Sequence, residues 1–132
     1  MMFDFLKTKS PIERLTKKVT ETGGEDGPRI EAAQKLAEME SPEATFALAK
    51  RFTISSKVIT QDIEEKRMVV NMLAAKGDKA VEPLLRFLKS YHQVEWPVQA
   101  LARILPTEQL IPRLVAVLED VLNLPPVSAL KL

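Results

Sequence analysis

Apolar residues recur at intervals of three and four along most of the 132-residue chain, and this helical period constrains the fold more than any other feature. Three stretches with this period align with one another, at residues 29–36, 66–73 and 94–101. Each is followed by a turn and a second amphipathic stretch, at residues 44–48, 80–84 and 110–114. The leucines that end these paired stretches are 12, 11 and 13 residues apart. Such regular spacing predicts an all-α chain built from repeated helix pairs.

The helical pattern and its breaks predict seven helices in one domain, residues 1–132. Ser10-Pro11 and Ser41-Pro42 are typical helix starts, since serine caps the first turn and proline suits its first position. The helices are expected at about 11–22, 29–40, 42–52, 62–76, 78–90, 95–105 and 107–122. They group into an N-terminal half-repeat (10–22), three helix pairs (29–52, 62–90 and 94–122) and a tail (123–132).

The first and third helix pairs resemble a known repeat. The first contains Ala32-Ala33, Leu36, Met39, Ser41-Pro42-Glu43-Ala44 and Leu48, and the third contains Pro97-Val98, Ala100-Leu101-Ala102 and Leu110-Ile111-Pro112. This pattern resembles the HEAT repeat of the short bacterial type, which also occurs in phycobilisome-lyase-like proteins. The middle pair departs from it, with Val69-Val70 in place of the small pair. The resemblance spans about residues 10–122 and implies a right-handed, HEAT/armadillo-like α-solenoid whose second helices line a concave face.

The composition argues against several kinds of chemistry. The chain has no cysteine and a single histidine, His92. Thiol catalysis, thiolate zinc sites and multi-histidine metal centres therefore lack their residues. We expect no enzymatic activity, no cofactor and no metal site.

Charge and hydropathy favour a cytoplasmic protein over a membrane or nucleic-acid-binding one. No run of about 18 apolar residues occurs, and the start of the chain lacks the basic leader of a signal peptide. The formal net charge is +1 and aromatic residues make up 5% of the chain, whereas nucleic-acid readers generally carry a strong basic excess. Non-specific nucleic-acid binding is the less favoured alternative.

The second helices supply candidate partner-binding residues. On the helix at 78–90, polar side chains lie opposite the apolar packing face, and the equivalent repeat positions of the first pair hold Phe46 and Lys50. A groove lined by Lys50, Arg86 and Lys89, with Phe46 in reach, would suit an acidic or mixed peptide. The simpler interpretation is a solvated helix face. The candidates are Phe46, Lys50, Lys79, Glu82, Arg86 and Lys89.

An insertion interrupts the repeat at about residues 53–62. Leu48 and Leu73 are 25 residues apart, but Leu84 and Leu101 are only 17 apart. The insertion carries the apolar residues Ile54, Val58 and Ile59. They either tuck over the hydrophobic seam or form an exposed edge that binds a partner.

The last helix is apolar around much of its circumference, although a solenoid normally ends in a polar cap. Val117, Val121 and Leu122 are therefore candidates for a covered surface. The tail at 124–130, a second copy of the chain in a homodimer, or another protein could cover it.

These observations predict a non-catalytic scaffold or adaptor that binds another protein or peptide on its concave face. The resemblance to lyase-type proteins implies one alternative, an accessory subunit of a lyase-like or other enzyme. Non-specific nucleic-acid binding is the other.

Overall fold

The computed structural model describes residues 10–123, and within this range it contains seven α-helices and no β-strand. They are α1 (Pro11–Val19), α2 (Asp26–Glu38), α3 (Pro42–Ala49), α4 (Ile59–Ala75), α5 (Val81–Ser90), α6 (Glu95–Ile104) and α7 (Thr107–Leu122). A short 3-10 helix, Lys50–Thr53, follows α3, and another, Gly77–Ala80, precedes α5. The all-α class and the seven helices are confirmed over this range. The tail beyond Asn123 lies outside the described residues.

The helix starts follow the capping residues of the sequence. The hydroxyl oxygens of Ser10 and Ser41 accept hydrogen bonds from the backbone N–H of the third residue of α1 and α3, at 3.1 and 3.2 Å. Helix α2 begins at Asp26, three residues before the predicted start, and so includes Pro28 in its first turn. A proline is tolerated there because first-turn N–H groups have no partner within the helix. The turn before α5 uses Gly77 at φ 65°, a left-handed conformation that favours glycine.

Helix α4 also starts earlier than predicted, at Ile59 rather than residue 62. Its first turn takes up part of the expected insertion, so that only residues 54–58 connect the 3-10 helix to α4. The Asp62 carboxylate reaches back and accepts a hydrogen bond from the Ser56 backbone N–H at 3.0 Å. This bond fixes the connection against the start of α4.

The helices lie in two layers. Even-numbered helices pack in the order α2, α4, α6, and odd-numbered helices pack in the order α1, α3, α5, α7. Sequence neighbours such as α1 and α2, α2 and α3, and α5 and α6 pack between the layers. A helix therefore contacts its neighbour in the chain and the next helix of its own layer.

Equivalent helices of successive pairs run parallel. Arg29 and Glu65, near the starts of α2 and α4, form a salt bridge across 36 residues of sequence. Just beyond the ends of these helices, Lys76 Nζ donates to the Met39 carbonyl at 2.6 Å across 37 residues. Helices α5 and α7 are joined in the same way by the pairs Glu82–Arg113 and Lys89–Asp120. Each pair of helices thus keeps a nearly constant register along its length.

The core lies between the two layers. Five of the six leucines that end the aligned stretches fill it with zero exposure: Leu36, Leu48, Leu73, Leu84 and Leu101. Phe52 and Phe87 are also buried and meet edge to face, with ring centroids 6.3 Å apart. Within residues 10–123, no helix is long and apolar enough to cross a membrane.

Candidate functional site

An open groove of about 490 Å³ lies on the odd-numbered layer, between α1, α3 and α5. We call it the α1–α3–α5 groove. It is lined by Ile12, Glu13, Thr16, Lys17, Glu43, Phe46, Ala47, Lys50 and Arg86. Three of the six candidates from the sequence, Phe46, Lys50 and Arg86, are therefore brought together here.

Phe46 forms the apolar floor of the groove and has a cation on each of two neighbouring elements. Lys50 Nζ lies 5.5 Å from the centroid of its ring, and the Arg86 guanidinium carbon lies 5.2 Å from it. The Phe46 ring is fixed in turn by Phe87 and Tyr91, whose centroids are 6.0 and 6.1 Å away. A cation within about 6 Å of an aromatic face is attracted by it. The ring therefore helps to hold both positive charges at the groove.

The positive charges of the groove form no ion pair within residues 10–123. Lys17, Lys50 and Arg86 form no salt bridge with any carboxylate of residues 10–123. Two carboxylates, Glu13 and Glu43, also line the groove. The groove is thus mixed in charge, with its cations available to a bound molecule.

The other three candidates lie outside this groove, and each is paired with an opposite charge. Lys79 lies 3.6 Å from Glu40, Glu82 lies 3.5 Å from Arg113, and Lys89 lies 2.8 Å from Asp120. The prediction that Lys89 lines a groove with Lys50 and Arg86 is wrong. Lys89 is directed to α7 instead, because the parallel register of α5 and α7 places Asp120 beside it.

The insertion residues divide between burial and exposure. Val58 and Ile59 are 49% and 74% exposed, whereas Ile54 is half-buried. Tucking over the hydrophobic seam is therefore wrong for Val58 and Ile59. Val58 directly precedes α4 and Ile59 is its first residue, and both come before the buried face of this helix, which begins at Asp62.

A cluster of buried charges lies beneath this insertion, and we call it the buried ion cluster. It consists of Arg29, Arg51, Asp62, Glu65 and Lys66, each at most 9% exposed. Glu65 Oε1 accepts from Arg29 Nε at 2.9 Å and from Arg51 Nε at 3.1 Å, and its Oε2 accepts from Arg29 Nη2 at 3.0 Å. Within residues 10–123, no buried side-chain nitrogen or oxygen lacks a hydrogen-bond partner.

Asp62 is the second acidic centre of the cluster. Its Oδ1 accepts from Arg51 Nη2 and its Oδ2 pairs with Lys66 Nζ, each at 2.7 Å. Arg51 also donates from Nη1 to the Ile54 carbonyl at 3.1 Å. The cluster therefore joins α2, the 3-10 helix after α3, the insertion and α4.

The arginines and the lysine keep both carboxylates ionised. Burial alone would raise the pKa of Glu65, but the hydrogen bond from Arg29 and the charge of Arg51 outweigh it and lower this pKa below its usual range. Burial opposes ionisation of Asp62 as well, yet hydrogen bonds from Lys66 and Arg51 lower its pKa. The hydrogen bond to Glu65 raises the pKa of Arg29. Each buried side-chain nitrogen and oxygen of the cluster has a partner within the fold, so these ion pairs connect α2 to α4.

The sequence analysis missed this cluster, although its spacing offered a signal. The buried residues of α4 are Asp62, Glu65, Lys66, Val69, Val70 and Leu73. The charged residues thus continue the apolar stripe at intervals of three and four. Arg29 and Lys66 also occupy equivalent positions of the aligned stretches. Charges on an apolar face at repeated positions indicate a buried polar network.

Helix α7 presents two apolar surfaces, which meet at Leu118. The inner one borders an apolar hollow of about 230 Å³, lined by Leu88, Tyr91, His92, Val94, Val98, Leu114, Val117, Leu118 and Val121. Of the candidates on this helix, Val117 is 7% exposed and belongs to the core, whereas Val121 and Leu122 are 40% and 59% exposed. Val117 is therefore not an exposed contact residue.

The outer surface of α7 carries a second apolar line, which we call the outer seam. It consists of Ile111, Val115, Leu118 and Leu122, at successive spacings of four, three and four. Ile111, Leu118 and Leu122 are more than half exposed. This spacing is that of residues which pack one helix against another.

The charged groups do not form a metal centre within the described range. No three histidine, cysteine, aspartate or glutamate side chains of residues 10–123 are placed to hold a metal ion together. His92 is exposed at the rim of the apolar hollow beside α7. The α1–α3–α5 groove combines an aromatic floor with charged walls, which is suited to contacts with another chain.

No family model, curated protein or solved structure matches the chain.

Proposed function

We propose that the chain is a non-catalytic protein-interaction module that binds a segment of a partner protein in the α1–α3–α5 groove. The proposal includes a right-handed α-solenoid of HEAT-like helix pairs and a cytoplasmic location. What supports the repeat architecture is the parallel register of α2 with α4 and of α5 with α7, together with the two-layer packing. Repeats that contact their neighbours in this way commonly present extended binding surfaces.

The groove itself is the observation on which the binding proposal depends. Three helices of one layer form it, and it holds an aromatic side chain together with cations that are not paired within residues 10–123. Elsewhere on α5, Glu82 and Lys89 are paired with α7. Charges left unpaired beside an apolar floor favour a binding surface over a merely solvated face.

A steric variant tests the proposal. Glu43 is exposed at the edge of the groove, so Glu43→Trp fills the groove without disturbing the core. Gln99→Trp is the matched control, because Gln99 is exposed on α6 in the opposite layer. Purification from a native extract, followed by mass spectrometry, should recover a partner with the wild type and Gln99→Trp and lose it with Glu43→Trp. Equal recovery with all three chains would contradict binding in the groove.

The same experiment addresses the two alternatives. An accessory role would appear as an enzyme among the partners lost with Glu43→Trp. Non-specific nucleic-acid binding would appear as a shift of generic DNA or RNA that weakens steeply with salt, since each phosphate contact releases counterions. Recovery of nucleic acid alone would contradict a protein-interaction role.

A second copy of the chain is a further candidate partner, favoured by the exposed outer seam of α7. A homodimer through this seam would bury its apolar residues against an identical helix. Light scattering over a range of concentrations tests it, with Ile111→Glu/Leu118→Glu as the disrupting variant. A particle that stays monomeric at all concentrations would exclude self-association.

A further inference from the structure

The charges of the groove are ordered along α3, and this order bears on what the groove accepts. Glu43, Phe46, Ala47 and Lys50 all line the groove: Phe46 and Ala47 lie three and four residues after Glu43, and Lys50 lies four and three residues after them. They therefore lie on one face of α3 and its 3-10 extension. Glu43 and Lys50 are seven residues apart, or about 10 Å at a rise of roughly 1.5 Å per residue. Along this face the groove runs from a carboxylate, over an aromatic ring, to a cation.

Two cations of the groove lie close to the Phe46 ring. Lys50 and Arg86 both lie over the Phe46 ring, so their distances of 5.5 and 5.2 Å from its centroid place them no more than 10.7 Å apart. Acidic side chains one helical turn apart are separated by about 5–6 Å, and those two residues apart in an extended strand by about 7 Å. Two acidic residues of one segment can therefore pair with both cations.

From this arrangement we infer that the groove recognises an acidic segment of a partner protein, with an apolar side chain over Phe46 and carboxylates beside Lys50 and Arg86. A neutral or basic segment would cover these cations without replacing their water, which carries an energetic cost. Glu43, at the other end of this face, disfavours a polyanion that extends along the whole groove. This inference rests on the proposed function and adds the chemistry of the partner.

Binding of labelled peptides tests the inference directly. The probe is a short fluorescein-labelled peptide in which glutamates flank a single leucine, and its counterparts carry glutamine or lysine in place of the glutamates. Fluorescence polarisation measures their affinity for the full chain. We expect the glutamate peptide to bind at least about tenfold more tightly than either counterpart, and added salt to reduce this difference because the charges are near the surface.

Charge-reversed variants locate the binding. Lys50→Glu/Arg86→Glu should lower the affinity for the glutamate peptide by about tenfold or more and raise the affinity for the lysine peptide. Glu43→Gln should raise the affinity for the glutamate peptide, because it removes a repelling charge. Lys57→Glu/Arg67→Glu is the matched control, since both residues are exposed and lie outside the groove lining. Circular dichroism melts identify any variant that fails to fold.

Several outcomes would overturn the inference. Equal affinity for the glutamate and glutamine peptides would do so. So would a Lys50→Glu/Arg86→Glu variant that binds the glutamate peptide as tightly as the wild type does. A generic RNA oligonucleotide that binds the wild type more tightly than the glutamate peptide does would also overturn it. Suppose that a natural partner is lost with Glu43→Trp but kept by Lys50→Glu/Arg86→Glu. The acidic specificity would then be refuted while the proposed function stands.

Discussion

Replacing Glu65 by glutamine removes the charge on which the buried ion cluster depends. The Glu65 side chain is 5% exposed and accepts three hydrogen bonds, two from Arg29 and one from Arg51. The amide that replaces it has nearly the same shape, so the change removes charge without opening a cavity. Glu65→Gln therefore isolates the electrostatic contribution.

The loss of stability follows from the partners that remain. Arg51 keeps the Asp62 carboxylate at 2.7 Å, but Arg29 loses its carboxylate partner and keeps the carbonyls of Glu21 and Gly24. The sum of three charge-assisted hydrogen bonds, at about 1.5–3 kcal/mol each, would overstate the loss of stability, because glutamine still accepts a hydrogen bond. Removing one partner of a buried ion pair costs about 3–5 kcal/mol. We expect this loss, a large part of the roughly 5–15 kcal/mol that stabilises a typical domain.

Urea unfolding followed by circular dichroism measures this difference. Glu64→Gln is the matched control, because Glu64 is the exposed neighbour on the same helix and should change the free energy of unfolding by less than about 0.5 kcal/mol. A loss below about 1 kcal/mol for Glu65→Gln, well under the range for a buried pair, would refute our account of the cluster. It would mean that water reaches the arginines and replaces the carboxylate.

Three further predictions address pH, the core and the insertion. The lowered pKa values of Asp62 and Glu65 contribute stability above their unfolded values of about 3.9 and 4.3, and this contribution is lost as the pH falls through the folded values. On acid titration, the free energy of unfolding should therefore fall more steeply below about pH 4.3 for the wild type than for Glu65→Gln. Parallel curves for the two chains would contradict this prediction. Leu73→Ala, at a position with zero exposure, should cost about 2–5 kcal/mol in urea unfolding, and a loss under about 1 kcal/mol would exclude a core role. Ile59→Lys, at a position 74% exposed, should change stability by no more than about 0.5 kcal/mol, whereas a larger loss would indicate packing of this side chain.

Local signals in the sequence were sufficient to predict the helices. Ser10 and Ser41 cap their helices as expected, and the leucines of the aligned stretches are mostly at zero exposure. Capping and apolar period act within one or two turns, so a single sequence contains them. The helix ends differ where a side chain reaches beyond its own turn, as Asp62 does toward Ser56.

The candidate site was predictable only in part, because salt bridges between helices depend on tertiary register. Phe46, Lys50 and Arg86 share the groove because equivalent repeat positions face the same way. Lys89 meets Asp120 only through the packing of α5 against α7, which no local pattern encodes. The buried ion cluster joins residues as far apart as Arg29 and Glu65, and charged side chains are normally assigned to solvent.

The bonds at both ends of α2 and α4 bear on how the chain opens. Arg29 joins Glu65 at one end and Lys76 joins Met39 at the other, so neither helix can separate without breaking two distant polar contacts. In layered helical chains, contacts between neighbours decide which parts unfold together. We expect the amides of α2 and α4 to exchange with solvent as one cooperative unit. Those of α7 should exchange earlier, because its two ion pairs with α5 are largely exposed and contribute little, whereas the Arg29–Glu65 pair is buried. Among the described helices, unfolding would then begin at α7, which carries the exposed outer seam.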